Sequence, residues 1–140
     1  MDSLGVCFFT GNWTSPEGMS PAELARFYSL ATGTEISENE LMKIGERVHN
    51  VEKMFNVYHA GFTRKDDYPP RRLMREPIRS GPSKGVLLKQ NDWENMLDEY
   101  YSLHGWDQCT SWPTKEKLDE LGLHECVKRL ENAKEIYQQN

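Results

Sequence analysis

Apolar residues recur along this chain at intervals of three and four, and capping signals divide the pattern into helices. Leu24, Phe27, Tyr28 and Ala31 give one face of a short amphipathic helix opened by Ser20-Pro21-Ala22-Glu23 and stopped at Gly33. A second capping box, Ser37-x-x-Glu40, opens the longest helix, with Leu41, Ile44, Val48, Val51 and Phe55 as its stripe and Gly61 as its end. Gly45, inside that helix, costs about 1 kcal/mol relative to alanine, so a close helix crossing or another backbone is expected beside it. Arg47 and Asn50 flank the stripe, as solvated positions or as a buried polar anchor. After Tyr68-Pro69-Pro70 the chain leaves helical geometry for a long extended connector. A third helix, capped by Asn91 or Asp92, carries Trp93, Met96, Leu97, Tyr100 and Tyr101 and ends at Gly105, and this aromatic stripe reads as core. Thr114 caps a short helix through Leu118 and Leu121, and a last helix runs from Leu123 to Tyr137 through Val127, Leu130 and Ile136.

Charge changes this picture at one place. The chain carries 17 Lys and Arg against 22 Asp and Glu, a net charge of −5, which gives no overall attraction to nucleic acid or an anionic membrane. Residues 64–89 hold eight basic and three acidic side chains, so this stretch is +5 and the remainder −10. Docking of the basic loop onto the chain's own acidic helices is the preferred expectation over anion binding. The basic residues lack the aromatic interleaving of a strand-binding platform, and Ser80-Gly81-Pro82-Ser83-Lys84-Gly85 lacks the ending of a phosphate-binding loop. No apolar run approaches the roughly 20 residues of a bilayer span, and a cytoplasmic protein is expected.

Cys7, Cys109 and Cys126 are an odd number at wide spacing, which does not describe a disulfide framework, and no Cys-x-x-Cys pair is present. Any metal cluster would need ligands from elsewhere. His49, His59, His104 and His124 have no partner at metal-ligand spacing. No Ser-His-Asp arrangement or paired-carboxylate site is recognisable.

Several motifs share one resemblance. Gly61-Phe62-Thr63-Arg64-Lys65-Asp66-Asp67-Tyr68-Pro69-Pro70-Arg71-Arg72 is preceded by Gly45-Glu46-Arg47-x-x-Asn50 and Phe55-Asn56-Val57. Met96 to Asp107 and the Thr-x-x-Lys-Leu-x-x-Leu-Gly-Leu stretch from Thr114 follow in order. Together they resemble the C-terminal α-helical domain of the tungsten- or molybdenum-containing aldehyde ferredoxin oxidoreductases, from Asp2 to about Leu130. The implied fold is all-α: an irregular helical domain of about five helices with a long extended loop between helices 2 and 3. The implied organisation is a single C-terminal domain over residues 1–140. The apolar run starting almost at Met1 fits a piece of a longer chain.

The resemblance also implies chemistry. Asp2-x-x-Gly5-Val6-Cys7 is similar to the family's second pterin-binding motif, in which the cysteine ligates a 4Fe-4S cluster. Taken alone, a cysteine among Val6, Phe8 and Phe9 reads as a buried small hydrophobe; with the downstream motifs the ligand reading is preferred. Asp2, Gly5 and Cys7 are then the cofactor-binding residues, and Cys7 the metal ligand. Phe8 stands where family members often carry lysine. The full-length family enzyme oxidises aldehydes to carboxylates at a tungsten or molybdenum bis-pterin centre, with electron transfer through the cluster to ferredoxin. This chain would supply one pterin motif and one cluster cysteine. It would depend on preceding domains of the same enzyme and be inactive, without bound cofactor, when isolated. The competing expectation is a cofactor-free helical interaction module in which Cys7 is core and the N-terminal apolar segment mediates homo-oligomerisation.

Overall fold

A computed structural model describes residues 4–12 and 15–137, and it is all-α. In chain order the helices are α1 (Pro21–Thr32), α2 (Glu38–Ala60), α3 (Arg71–Arg75), α4 (Gln90–His104), α5 (Lys115–Glu120) and α6 (His124–Tyr137). Two 3-10 turns, Phe8–Thr10 and Arg64–Asp67, complete the regular structure. The chain forms two compact units, Met1–Glu52 and Lys53–Asn140, and the division falls inside α2.

Local chemistry accounts for most helix ends. Ser20 forms the expected capping box: its hydroxyl accepts from the Glu23 amide at 3.3 Å, and the Glu23 carboxylate accepts from the Ser20 amide at 2.8 Å. Ser37 and Glu40 repeat the arrangement at the start of α2. Gly33 and Gly105 adopt left-handed conformations at φ +73° and +67° and end α1 and α4. Thr114 caps α5 by accepting from the Lys117 amide at 3.2 Å. The start of α4 differs from expectation, because Lys89 is the cap residue and makes no side-chain capping bond; Asn91 and Asp92 already lie inside the helix.

In the first unit, Leu24, Ala25 and Leu41 form a small buried cluster with Leu4, Val6, Met19 and Ile36 packed against it. The expected face of α1 is only partly used, since Leu24 is buried whereas Phe27 and Ala31 are exposed. On α2, Leu41 is buried and Ile44 and Val48 half-buried, but Val51 and Phe55 are exposed. The buried face beyond Val48 is instead Asn50, Lys53, Met54 and Val57. Asn50 is buried and donates to the Glu46 carbonyl at 2.9 Å, while Arg47 is exposed. The crossing expected at Gly45 is not found: no described atom comes within 4 Å of where a Cβ would stand.

The loop before α1 closes through backbone. Met19 donates to Thr10 at 2.8 Å and Asn12 donates to Met19 at 3.1 Å. A Cβ on Gly18 would overlap the Gly11 carbonyl and stand 2.7 Å from the Asn12 nitrogen, so only glycine fits. Gly18→Ala is therefore expected to break this bridge and speed proteolysis between residues 8 and 19, with α1 helicity unchanged. Wild-type cleavage rates in the variant would refute this.

The second unit holds two clusters. Met54, Val57, Trp112, Leu118, Val127, Leu130 and Ala133 form the larger one, flanked by Leu123 and Cys126. Leu97, Tyr101 and Trp106 form the other, flanked by Tyr68 and Trp93. The aromatic face of α4 is thus core at Leu97 and Tyr101, as expected, but exposed at Met96 and Tyr100. On α6, Val127 and Leu130 are buried as expected, and Ala133 rather than Ile136 continues the face. The long loop expected between helices 2 and 3 contains the short α3, so the described residues form six α helices, in line with the expected all-α domain of about five.

Candidate functional site

The residues expected to meet a cofactor lie at the start of the first unit. Asp2 falls outside the described residues. Gly5 is left-handed at φ +71°, and no described atom beyond its chain neighbours lies within 4 Å of its missing Cβ. Cys7 follows two residues later, and its carbonyl accepts from the Thr10 amide at 3.1 Å and the Thr10 hydroxyl at 2.7 Å, starting the 3-10 turn. The Cys7 side chain is exposed. It is therefore not the buried small hydrophobe its apolar neighbours suggest. Phe8 and Phe9 pack edge to face with ring centroids 5.7 Å apart, and Phe9 is 79% exposed. An open thiol beside a glycine with free space fits a bulky ligand and a metal bond better than it fits a core position. No group of three or more His, Cys, Asp or Glu side chains that could hold a metal occurs among the described residues.

The most interconnected polar assembly is in the second unit, on the Arg64-Lys65-Asp66-Asp67 stretch. Thr63 and Asp66 cap its 3-10 turn reciprocally, with the Asp66 carboxylate accepting from the Thr63 amide at 2.8 Å. Arg64 then reaches α4. One of its terminal nitrogens donates to Asp98 at 2.6 Å and to the Gln108 carbonyl at 2.8 Å. The other donates to the Glu94 carboxylate at 2.6 Å and the Glu94 carbonyl at 3.2 Å. Tyr68 donates its hydroxyl to the second Glu94 oxygen. Asp67 turns the other way, accepting from Lys53 of α2 at 3.0 Å and from the Tyr101 hydroxyl at 2.7 Å. Aromatic faces complete the enclosure: Lys53 lies 5.0 Å from the Trp106 ring centre and Arg64 5.4 Å from that of Tyr101.

The electrostatics are those of a closed clamp. Burial works against the Arg64 charge, but Glu94 and Asp98 outweigh it and raise its pKa. Burial, and then the bond to Asp67, push the Tyr101 hydroxyl well above the ordinary tyrosine value, so it stays protonated and donating. The Tyr68 hydroxyl, with help from Arg64, holds Glu94 below the usual carboxylate range. Lys, Tyr and Asp side chains meet here, yet each is committed to another protein group and none is poised to give or take a proton. The assembly joins α2, the Arg64–Asp67 turn and α4.

A neighbouring turn, residues 105–114, is built the same way. Asp107 accepts from the Cys109 amide at 3.1 Å and from the Thr110 amide and hydroxyl, both at 2.7 Å. The Thr110 hydroxyl, followed by burial-opposed bonds from the two amides, lowers the Asp107 pKa. Glu94 and Asp107 therefore add stability that is present above the ordinary carboxylate pKa of about 4 and lost as pH falls through their depressed values. The melting temperature is expected to be flat near neutrality and to fall below about pH 4, with Asp107→Asn flattening the acid limb. An acid limb unchanged in that variant would refute the assignment.

Cys109 is exposed and Cys126 half-buried, its thiol pKa raised by burial. His124 approaches Asp119 at 3.5 Å, and His59 packs on Phe55 with centroids 4.6 Å apart. Of the eight basic residues in 64–89, Arg64 docks on α4 as the charge pattern suggested, whereas Arg72 and Arg79 pair with Glu76 at 3.2 and 3.6 Å. The partners of Arg64 and Asp67, which are Lys53, Glu94, Asp98 and Tyr101, were not singled out by the motif itself. The available signal was spacing, because Lys53 falls three residues after Asn50 and four before Val57 on one face of α2.

Fold and site together define an all-α region with a partly buried structural clamp and exposed thiols at Cys7 and Cys109. The family model for aldehyde ferredoxin oxidoreductase, domains 2 and 3, matches residues 1–123, and the chain belongs to that family. It is 35% identical over 127 residues to the tungsten-containing aldehyde ferredoxin oxidoreductase of Pyrococcus abyssi, covering 91% of this chain and 19% of the relative. Against the enzyme of the same name from Pyrococcus furiosus the identity is 35% over 125 residues, covering 89% and 19%. An aliphatic sulfonate oxidoreductase, WOR-like subunit, from Pyrococcus furiosus is 29% identical, with 95% of this chain and 21% of the relative covered. The chain thus spans about a fifth of the length of the curated relatives it matches. No helix among the described residues is long and apolar enough to cross a membrane.

Proposed function

We propose that this chain is the C-terminal helical domain of a cytoplasmic tungsten- or molybdopterin-dependent oxidoreductase that converts an aldehyde to a carboxylate. In it Asp2 and Gly5 hold one pterin and Cys7 supplies one ligand to a 4Fe-4S cluster, the rest of the site coming from parts of the enzyme outside this chain. When bound, the metal-pterin centre supplies the two-electron oxidation and the cluster the route by which electrons leave for ferredoxin. The chain's own contribution is to present the Cys7 thiolate from a fixed turn and to leave space at Gly5 for close approach of the pterin.

The observation carrying this reading is the exposed Cys7 thiol, two residues from an open, left-handed Gly5, on a chain of this family. The partly buried clamp at Arg64 supports it indirectly, since Arg64 and Asp67 of the family-like Arg-Lys-Asp-Asp run are taken up by contacts within the chain. The alternative, a cofactor-free module with Cys7 as a core residue, draws no support from the exposed thiol.

The test is iron and acid-labile sulfide on protein prepared without oxygen, alone and after addition of a polypeptide supplying the rest of the enzyme. Iron should appear only in the mixture and be lost with Cys7→Ala but not with Cys109→Ala. Aldehyde-dependent dye reduction should be absent from the chain alone. Equal iron retention by wild type and Cys7→Ala, or activity in the isolated chain, would overturn the proposal.

A further inference from the structure

No side chain from Arg71 to Lys89 is buried; Met74 and Leu88 are half-buried and every other position is exposed. The segment nevertheless has a defined conformation. It begins with α3, and its backbone bonds close on itself: Ile78 donates to Val86 at 3.0 Å, Gly85 to Ile78 at 2.8 Å and Leu88 to Leu73 at 3.4 Å. Fixing backbone costs entropy that burial normally offsets, so a structured stretch this long that leaves Leu73, Ile78, Val86 and Leu87 exposed lacks part of its packing.

Its surface chemistry indicates what that packing is. Leu73, Ile78, Val86 and Leu87 are all exposed. Around them stand Arg71, Arg72, Arg75, Arg79, Lys84 and Lys89 against the single acid Glu76. Arg72 and Arg79 share Glu76, and the other four make no ion pair with a described residue. An apolar centre with a charged rim is the make-up of a protein interface. The segment contains no aromatic residue, which disfavours nucleic acid, whose bases need rings to stack on.

We infer that residues 71–89 form a docking arm that seats Leu73, Ile78, Val86 and Leu87 on an apolar, acid-rimmed surface of the part of the enzyme lying outside this chain. This rests on the proposed function. The arm lies within the region matched to the family, and the relatives extend over about five times the length of this chain, so the enzyme has the surface to receive it.

The six basic residues are trypsin sites, which supplies the assay. In the chain alone the first cuts should fall within 71–89, and binding of a polypeptide supplying the rest of the enzyme should protect them. Arg75→Glu with Lys84→Glu should weaken that binding by about tenfold or more and make it less sensitive to salt. Val86→Asp should weaken it at all salt concentrations, and Lys128→Glu on α6 should not. The melting temperature of each variant alone should match wild type, separating docking from folding. An arm cut at the free rate in a complex that takes up iron through Cys7 would overturn the arm and leave the functional reading standing. Protection without iron uptake would support the arm and count against that reading. Failure of the two polypeptides to associate, or loss only of self-association in the charge variants, would overturn the arm.

Discussion

Replacing Trp112 by alanine is expected to cost about 4 kcal/mol and to lower the melting temperature of the second unit by about 20 °C. Trp112 is 2% exposed and belongs to the cluster of Met54, Val57, Leu118, Val127, Leu130 and Ala133, so it draws α2, α5 and α6 together. Its indole also donates to the Phe62 carbonyl at 2.7 Å, tying the end of α2 to the turn before α5. Alanine removes both, leaving a cavity that three helices cannot close without moving. Phenylalanine keeps most of the volume and loses the bond, so Trp112→Phe should cost about 1 kcal/mol. Urea unfolding monitored by circular dichroism gives both values. Equal effects of the two substitutions would mean that the hydrogen bond, not the packing, carries the site.

Arg64→Met is expected to destabilise the second unit by about 2 kcal/mol, with Arg64→Lys falling between it and wild type. The Arg64 side chain is 16% exposed and its donors serve Glu94, Asp98 and the Gln108 carbonyl at once, which a single ammonium cannot reproduce. The full cost of breaking an enclosed pair is larger, but Glu94 and Asp98 are 33% and 47% exposed and water reaches them once the guanidinium is gone. A double-mutant cycle with Asp98→Asn should return a coupling, and the Arg64→Met penalty should persist in salt because Arg64 itself is screened little. A penalty under about 0.5 kcal/mol would place Arg64 among ordinary surface cations. On the function proposed above, iron uptake through Cys7 should be retained at temperatures where Arg64→Met is folded, since the clamp is architectural.

These two residues show how differently the chain reveals its parts. Ser20 with Glu23, Ser37 with Glu40, and Gly33 and Gly105 were legible because capping is decided by neighbours three or four residues apart. The all-α class and the buried positions Leu24, Leu41, Leu97, Tyr101, Leu118, Val127 and Leu130 followed from helical spacing for the same reason. The stripe through Val51 and Phe55 did not hold, because which face of a helix is buried depends on the helices around it, and α2 receives α5 and α6 on the side of Met54 and Val57. Spacing alone offers two adjacent faces on so long a helix and cannot choose between them.

The amino-acid sequence by itself determined the family and the order of the helices, both properties of residue type and short spacing, and it singled out Asp2, Gly5 and Cys7 only as an expectation. Only the tertiary structure decided that Cys7 is open and that Arg64 and Asp67 answer Glu94, Asp98, Tyr101 and Lys53 rather than their own neighbours. It alone decided that the loop charges divide into one enclosed arginine and an exposed arm. Exposure and ion pairing between residues 14 or 34 positions apart depend on where the backbone brings distant segments together, and no local preference encodes that.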